Sequence, residues 1–594
     1  MSEKRTVAEV YGKVGKDAIA ETIATMWRNS DDQRREWKDR LLEIRNYLFA
    51  TDTSHTTNAD LPWKNSTTLP KLTQIRDNLH ANYYSALFPT DDFFIFEPGS
   101  RDETSIAKRR AIEAYVKNKV EASGFKLTCA QLLQDYIDTG NVYYDVIYVD
   151  EKHVDEATGE VIQGYVGPKM VRTSYRDIVF DPMASSFENT WKIERSLKTF
   201  GELMAEIENE PESLFKKEAL AKSKELRGNQ VWGLEVSDYE LLTAYTVDGF
   251  NTYKDYIASG YVEILTFEGS LYINETGEFL KNRRITVIDR CYVLQDIPMP
   301  SWYGKSTKGH CGWRERPDNL YAMGPLENLV GMQYRIDHLE NAKADAHDLA
   351  IHPPMFISGS VEEFEWGPGV EINGSEGASI MELGKNLNGV IAAVNDIDRL
   401  EQKMEEFAGA PKQAMGIRTP GEKTAFEVQT LEQASSRIFQ QKLRNFEIHV
   451  VERALNLYLE LGRRHLKASD QARVQDDDFG VISFLTITKE DITASGKLKA
   501  IGARHFAAQA MLVQNLMNIL NSTVFADQGI RPHFSGKAVA KLLEEILGLK
   551  KFQLVGDNIQ VMETTETQQL VQQAQEDIQT ANMVDPMAPP EEEA

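Results

Sequence analysis

Between Pro325 and His465 long helical stretches alternate with short breaks, and that order narrows the folds open to the chain. Leu326, Leu329, Val330, Tyr334, Ile336 and Leu339 recur at three- and four-residue spacing and predict one helix from Pro325 to about Ala350. His352-Pro353-Pro354 stops it, because proline lacks the amide a helix needs and restricts the residue before it. Residues 355–387 are Gly-rich and strand-like, and a second helix from about Val390 ends at Ala408, before Gly409-Ala410-Pro411. A Gly/Pro/Lys loop, 409–423, leads into a third long helix from Thr424 to His465. Helix, small β insert, helix, loop and long helix is an unusual order for a globular enzyme. It suits a stalk with a head at one end.

Upstream, helices are predicted around Trp37–Leu48, at about Lys71–Leu87, and at roughly 103–122 and 126–138, with a short extended run at Phe93–Phe96. Thr139-Gly140-Asn141 then opens a β-rich region: Val142–Val149 returns through Thr158-Gly159 to Val161–Val171. Strand-like runs follow at 239–247 and 261–267, with a hairpin at 271–290 that turns at Glu275-Thr276-Gly277. Downstream, a strand is expected at 481–488 and helices at about 497–521 and 536–548. The Gln/Glu-rich last thirty residues read as disordered, or ordered only within an assembly.

The chain has 594 residues, 42% of them hydrophobic and 26% charged, enough for real cores with a solvated surface. No run approaches the roughly 18 apolar residues of a membrane span, and Met1-Ser2-Glu3-Lys4-Arg5 opens no apolar leader, so an intracellular site of synthesis and no membrane partner are expected. Cys129, Cys291 and Cys311 lack C-x-x-C spacing and read as buried thiols rather than a disulfide framework or a zinc site. The net charge of −25 disfavours a protein that grips DNA phosphates. It suits a conduit through which DNA slides, and it suits equally an acidic protein that never meets nucleic acid.

Catalytic motifs are not found. Gly304-Lys305-Ser306-Thr307 looks like the end of a phosphate-binding loop, but Met299 and Pro300 stand where the loop's first glycine and a free amide are needed. His347 and His352 straddle a helix end, no H-E-x-x-H or Gly-x-Ser-x-Gly occurs, and Asp91-Asp92 and Asp476–Asp478 read as solvated turns. No catalytic, cofactor-binding or metal-ligating residue is therefore assigned, and no enzyme activity is expected.

Several segments in order carry a resemblance. They are Asp138-Thr139-Gly140-Asn141-Val142-Tyr143, Gly164–Val171, Ser174-Tyr175-Arg176-Asp177-Ile178-Val179-Phe180-Asp181-Pro182-Met183-Ala184 and Ile193–Leu203. Next come Met323-Gly324-Pro325-Leu326-Glu327, leading into Met332-Gln333-x-x-Ile336-Asp337-x-Leu339-x-Asn341 and Pro353-Pro354. Last are Gly409-Ala410-Pro411, Gly416, Thr419–Ala425, Ser435-Ser436-Arg437 and Phe446-Glu447. Together they resemble the portal, or head–tail connector, proteins of tailed bacteriophages, of the short-tailed type, over about residues 70–500. Tyr321-Ala322-Met323-Gly324 departs from the Tyr-Gly-x-Ser common before the family's first stem helix.

The resemblance implies an α+β, elongated subunit with a mixed α/β wing, two helical stem segments, a small β-containing clip and a helical crown. The expected boundaries are wing 1–324, stem 325–351, clip 352–388, stem 389–408, tunnel loop 409–423, long helix and wing 424–496, crown 497–561 and acidic Gln-rich tail 562–594. It implies a dodecameric ring at one capsid vertex, in the virion and in the host cytoplasm during assembly. Its partners would be the terminase large subunit, head–tail adaptor and tail proteins, and the major capsid and scaffold proteins, with double-stranded DNA passing through. Glu327, Asp337, Glu340, Asp396, Asp398, Glu401 and Glu405 are then candidates for an acidic channel wall, and Lys412, Arg418 and Lys423 for DNA contact from the tunnel loop. A different virion component, either an adaptor or an ejected internal protein, and a DNA nuclease are the other readings.

Overall fold

A computed structural model describes residues 17–89, 93–99, 103–154, 161–209, 217–228, 261–273, 277–299, 306–351, 354–362, 373–382, 387–408, 438–466, 470–475 and 482–501. The chain is α+β, and the strand pairings are antiparallel. It divides into one unit of Met1–Ala472 with Thr486–Ala503, and a second of Arg473–Leu485 with Arg504–Ala594, of which only parts of the two-stranded sheet of Asp470–Gln475 and Ile482–Ile487 are described. The first unit contains everything discussed below.

Its amino-terminal elements are α1 (Ala18–Gln33), α2 (Arg35–Phe49), α3 (Lys71–Leu87), β1 (Phe94–Pro98), α4 (Glu103–Ala122) and α5 (Phe125–Asp138). A long hairpin, β2 (Asn141–Val154) and β3 (Val161–Thr173), follows with Val154 facing Val161. Next come β4 (Ile178–Phe180), β5 (Lys192–Thr199), α6 (Phe200–Asn209), α7 (Lys217–Gly228), β6 (Tyr261–Ile273), β7 (Glu278–Ile288) and β8 (Tyr292–Pro298). Strands β4 to β8 form a five-stranded sheet in sequence order.

That sheet is apolar on both faces because both are covered. Leu265 and Phe267 of β6 pack on Ile23 and Trp27 of α1, whereas Val262 and Ile264 meet Leu203 of α6 and Leu220 of α7. Alternate side chains of a strand point to opposite faces, so one strand serves two cores. Strand β9 (Gly309–Gly312) adds to β2, making a sheet ordered β3-β2-β9, and β10 (Arg314–Arg316) pairs with β11 (Asn319–Met323). The largest core joins α2 to α5, β2 and the later helices, with Tyr83, Tyr136, Phe446 and Tyr458 wholly buried.

Helix α8 (Val330–Ile351), strands β12 (Met355–Ser358) and β13 (Ser379–Glu382), and helix α9 (Leu387–Ala408) realise the expected helix, β insert and helix. Residues 438–465 are continuously helical: a π segment, Glu447–Glu452, interrupts the run before α10 (Arg453–His465). The widened π turn leaves backbone groups without their usual partners, and the Tyr144 hydroxyl donates to the His449 carbonyl there at 2.6 Å.

One expectation is corrected. Residues 497–500 do not begin a crown helix; they lie in the strand Gly496–Ala500, which pairs with β1 so that Phe96 faces Leu498. The expected tunnel loop 409–423, the expected start of the long helix at Thr424, the strand-like run 239–247, the expected crown from 502 onward and the tail 562–594 lie outside the described residues. All three cysteines are buried free thiols, and no described helix is long and apolar enough to cross a membrane.

Candidate functional site: the paired helices and their strap

Helix α8 has few apolar residues on its buried side: Val330 and Ile336 share it with Gln333, Asp337 and Asn341. What holds the helix is a row of polar side chains four residues apart. The Gln333 amide oxygen accepts from the Leu72 backbone N–H at 3.1 Å, and its nitrogen donates to the Leu69 carbonyl at 2.6 Å. Asp337 Oδ1 accepts from the Leu69 N–H at 2.9 Å, and from the Gln333 side chain at 2.9 Å. Asn341 grips Thr67 from both sides, accepting from its N–H at 2.8 Å and donating to its carbonyl at 2.9 Å. Asp345 accepts from the N–H groups of Lys64 and Asn65 at 2.9 and 3.0 Å.

Helix geometry explains why these side chains can read a passing main chain. Four helical residues rise about 6.0 Å, and two residues of extended chain span about 6.6 Å. A row at i, i+4, i+8 therefore keeps step with every second residue of a strap running antiparallel to it. The strap, residues 64–72, is also tied to α9: Lys71 Nζ lies 2.6 Å from Glu405 Oε1 and 3.5 Å from Glu401 Oε2. Trp63 meets the His338 ring edge-on at a centroid distance of 5.4 Å.

This arrangement sorts the seven acidic candidates. Asp337 and Glu405 are buried within the chain and committed there, so they present no charge to a conduit. Glu327 keeps only a tenth of its side chain exposed and lies 3.8 Å from Arg40. Glu340 is half-buried and paired with Lys343, and Glu401 is half-buried beside Lys71. Asp396 and Asp398 are exposed. The basic candidates Lys412, Arg418 and Lys423 lie outside the described residues.

Burial pushes the Asp337 carboxyl up to about 7, against the hydrogen bonds from Leu69 and Gln333 that favour its charged form; Glu340 adds to the rise. Its second oxygen, Oδ2, has no hydrogen-bond partner among the described residues.

Two sequence motifs quoted separately come together beside this region. Asn141 Oδ1 accepts from the Ala322 N–H and its Nδ2 donates to the Ala322 carbonyl, each at 2.8 Å. That fastens the Thr139-Gly140-Asn141 turn to the Met323-Gly324 segment leading into α8.

Of the residues resembling a phosphate-binding loop, Gly304 and Lys305 lie outside the described residues, and Ser306 and Thr307, with the adjoining Lys308, are otherwise engaged. The Ser306 hydroxyl donates to Glu268, the Thr307 hydroxyl to Asp145, and the Lys308 ammonium to Asp145 and Glu194. Burial raises the Asp145 carboxyl, but Lys308, Arg284 and the Thr307 hydroxyl outweigh it and hold it at about 2. This buried cluster links β2 to β5 and β6. The polar row on α8 was missed in the sequence, although its signal was legible: Gln333, Asp337, Asn341 and Asp345 recur at four-residue spacing. Among the described residues no cluster of histidine, cysteine and carboxylate ligands has the makings of a metal site.

In comparison with known proteins, no protein-family model and no curated protein matches the sequence.

Proposed function

We propose that the chain is the portal subunit of a tailed bacteriophage, assembling as a dodecameric ring that conducts double-stranded DNA during packaging and ejection. In this reading the ring docks the terminase large subunit first and adaptor or tail proteins later, and it meets capsid and scaffold proteins at the vertex. The chain itself carries no catalytic role. The observation that carries the proposal is the unfinished surface around β12 and β13. Helices α8 and α9 pack against each other, yet Leu349, Ile351, Phe356, Ile357, Met381, Ile391 and Val394 at the β12–β13 end of the pair are all exposed. A two-stranded sheet buries too little to be stable alone, and large apolar side chains left exposed on both of its faces mark an association surface. Neighbouring subunits in a ring would cover it.

Electron microscopy of the purified chain should therefore show rings with a central hole. A chain that stays monomeric even with scaffold and capsid proteins present would count decisively against the reading. Replacing Phe356, Ile357 and Met381 together by Ser is expected to weaken assembly at least tenfold, read by sedimentation, while circular dichroism of the free chain stays unchanged. In the tunnel loop, replacing Lys412, Arg418 and Lys423 by Gln is expected to leave rings intact and to reduce DNA retention. Any remaining DNA contact should then have a shallower salt dependence, because fewer counterions are released. Parental retention by that variant would make the loop a simple connector.

A further inference from the structure

We propose that the 64–72 strap is a proton-sensitive latch on α8, held tightly when Asp337 is protonated and loosened when it ionises. The proposal rests on the geometry of the polar row and stands apart from the portal reading. Gln333 and Asn341 each offer the strap both an acceptor and a donor, and each uses both. Asp337 sits between them, wholly buried, and satisfies the Leu69 N–H with one oxygen while the other has no partner among the described residues. An asparagine would serve a fixed rung at this place, as Asn341 does one turn away. A carboxylic acid adds a group whose charge can be switched, in a spot where the charge is poorly compensated.

The charged and titratable neighbours leave Asp337 as the group with this sign. On α8, Glu340 raises its proton affinity and is itself paired with Lys343. On α2, Tyr47 is pushed up to about 12, chiefly by burial, and stays neutral throughout. On the strap, Lys71 is held by Glu405 and Glu401 of α9. His338, against Trp63, is lowered by burial and by Arg335; protonating it weakens the folded arrangement on acidification, opposite to Asp337.

For Asp337 the folded value lies above the ordinary 3.8. The stabilisation is therefore complete below about pH 4 and is lost as pH rises to about 7, after which it levels off.

Hydrogen exchange of the full-length chain, corrected for intrinsic rates, tests this on the amides of Thr67 and Leu69. Protection is expected to fall on the order of fifty-fold between pH 5 and 7.5 and to flatten above pH 8. Asp337→Asn should abolish the dependence and keep protection high at pH 8, and Glu340→Gln should move the midpoint down. Flat protection in the parent chain overturns the latch, as does a rise with pH, which would assign control to His338. Because the parent series alone decides, a variant that fails to fold leaves the test intact.

Discussion

Replacing Lys308 by Met is expected to lower the stability of the first unit by about 3–5 kcal/mol. In a thermal scan of the free chain that corresponds to a drop of roughly 3–5 °C. Lys308 is 1% exposed and its ammonium binds Asp145 and Glu194. Arg284 is the nearest remaining cation, with Nη2 3.8 Å from Asp145 and Nε 3.3 Å from Glu268. Taking the lysine away strands the buried Asp145 and leaves the half-buried Glu194 without its cation, and an uncompensated buried charge costs more than the pair contributes. Lys308→Met combined with Asp145→Leu should therefore recover part of the loss. If the double variant is no better than the single one, the cluster acts through packing alone. The acid limb provides a second reading. Asp145 is held below its ordinary 3.8, at about 2, so its contribution is present above pH 4 and lost as pH falls towards 2. The Lys308→Met variant should lack that part of the acid transition.

The local elements were legible where one periodicity ran long enough. α3 was expected at Lys71–Leu87 and forms over those residues, and the hairpin turning near Gly277 joins β6 and β7. Proline and glycine breaks set the end of α8 and both ends of α9 to within three residues, whereas α8 begins at Val330, five residues after the expected Pro325, because 325–329 form turns. What stayed hidden depends on distant partners. Gly496–Ala500 is a strand because Phe94–Pro98, some four hundred positions earlier, offers it an edge; five residues in isolation do not declare that. The acidic candidates show the same limit. A carboxylate counted along a helix reads as a solvated face, and only the strap's return across α8 and α9 buries Asp337 and Glu405. Charge pattern reports which residues are present, whereas the direction each one points is settled by what packs on the helix.

Gly140→Ala is expected to cost about 2–5 kcal/mol, and its cause can be separated experimentally. Two penalties coincide at this position. The backbone is left-handed, with φ of 72°, which costs a side-chain-bearing residue about 1–2 kcal/mol. A Cβ there would also lie 2.3 Å from Gly324 N and 2.5 Å from the Met323 carbonyl carbon, both backbone atoms that cannot swing aside. Overpacking of this kind costs about 1–3 kcal/mol. Gly277 supplies the control: its φ is 69°, but the nearest atom to an added Cβ is the Tyr272 hydroxyl at 3.9 Å. Gly277→Ala therefore incurs the backbone penalty alone, and the difference between the two variants in urea midpoint measures the steric part. A Gly140→Ala variant costing no more than Gly277→Ala would mean that the two segments part easily. In that event the Asn141–Ala322 hydrogen bonds would not fix where α8 begins. A larger loss at Gly140 makes the contact with Gly324 the point at which the β-rich region sets the position of the paired helices.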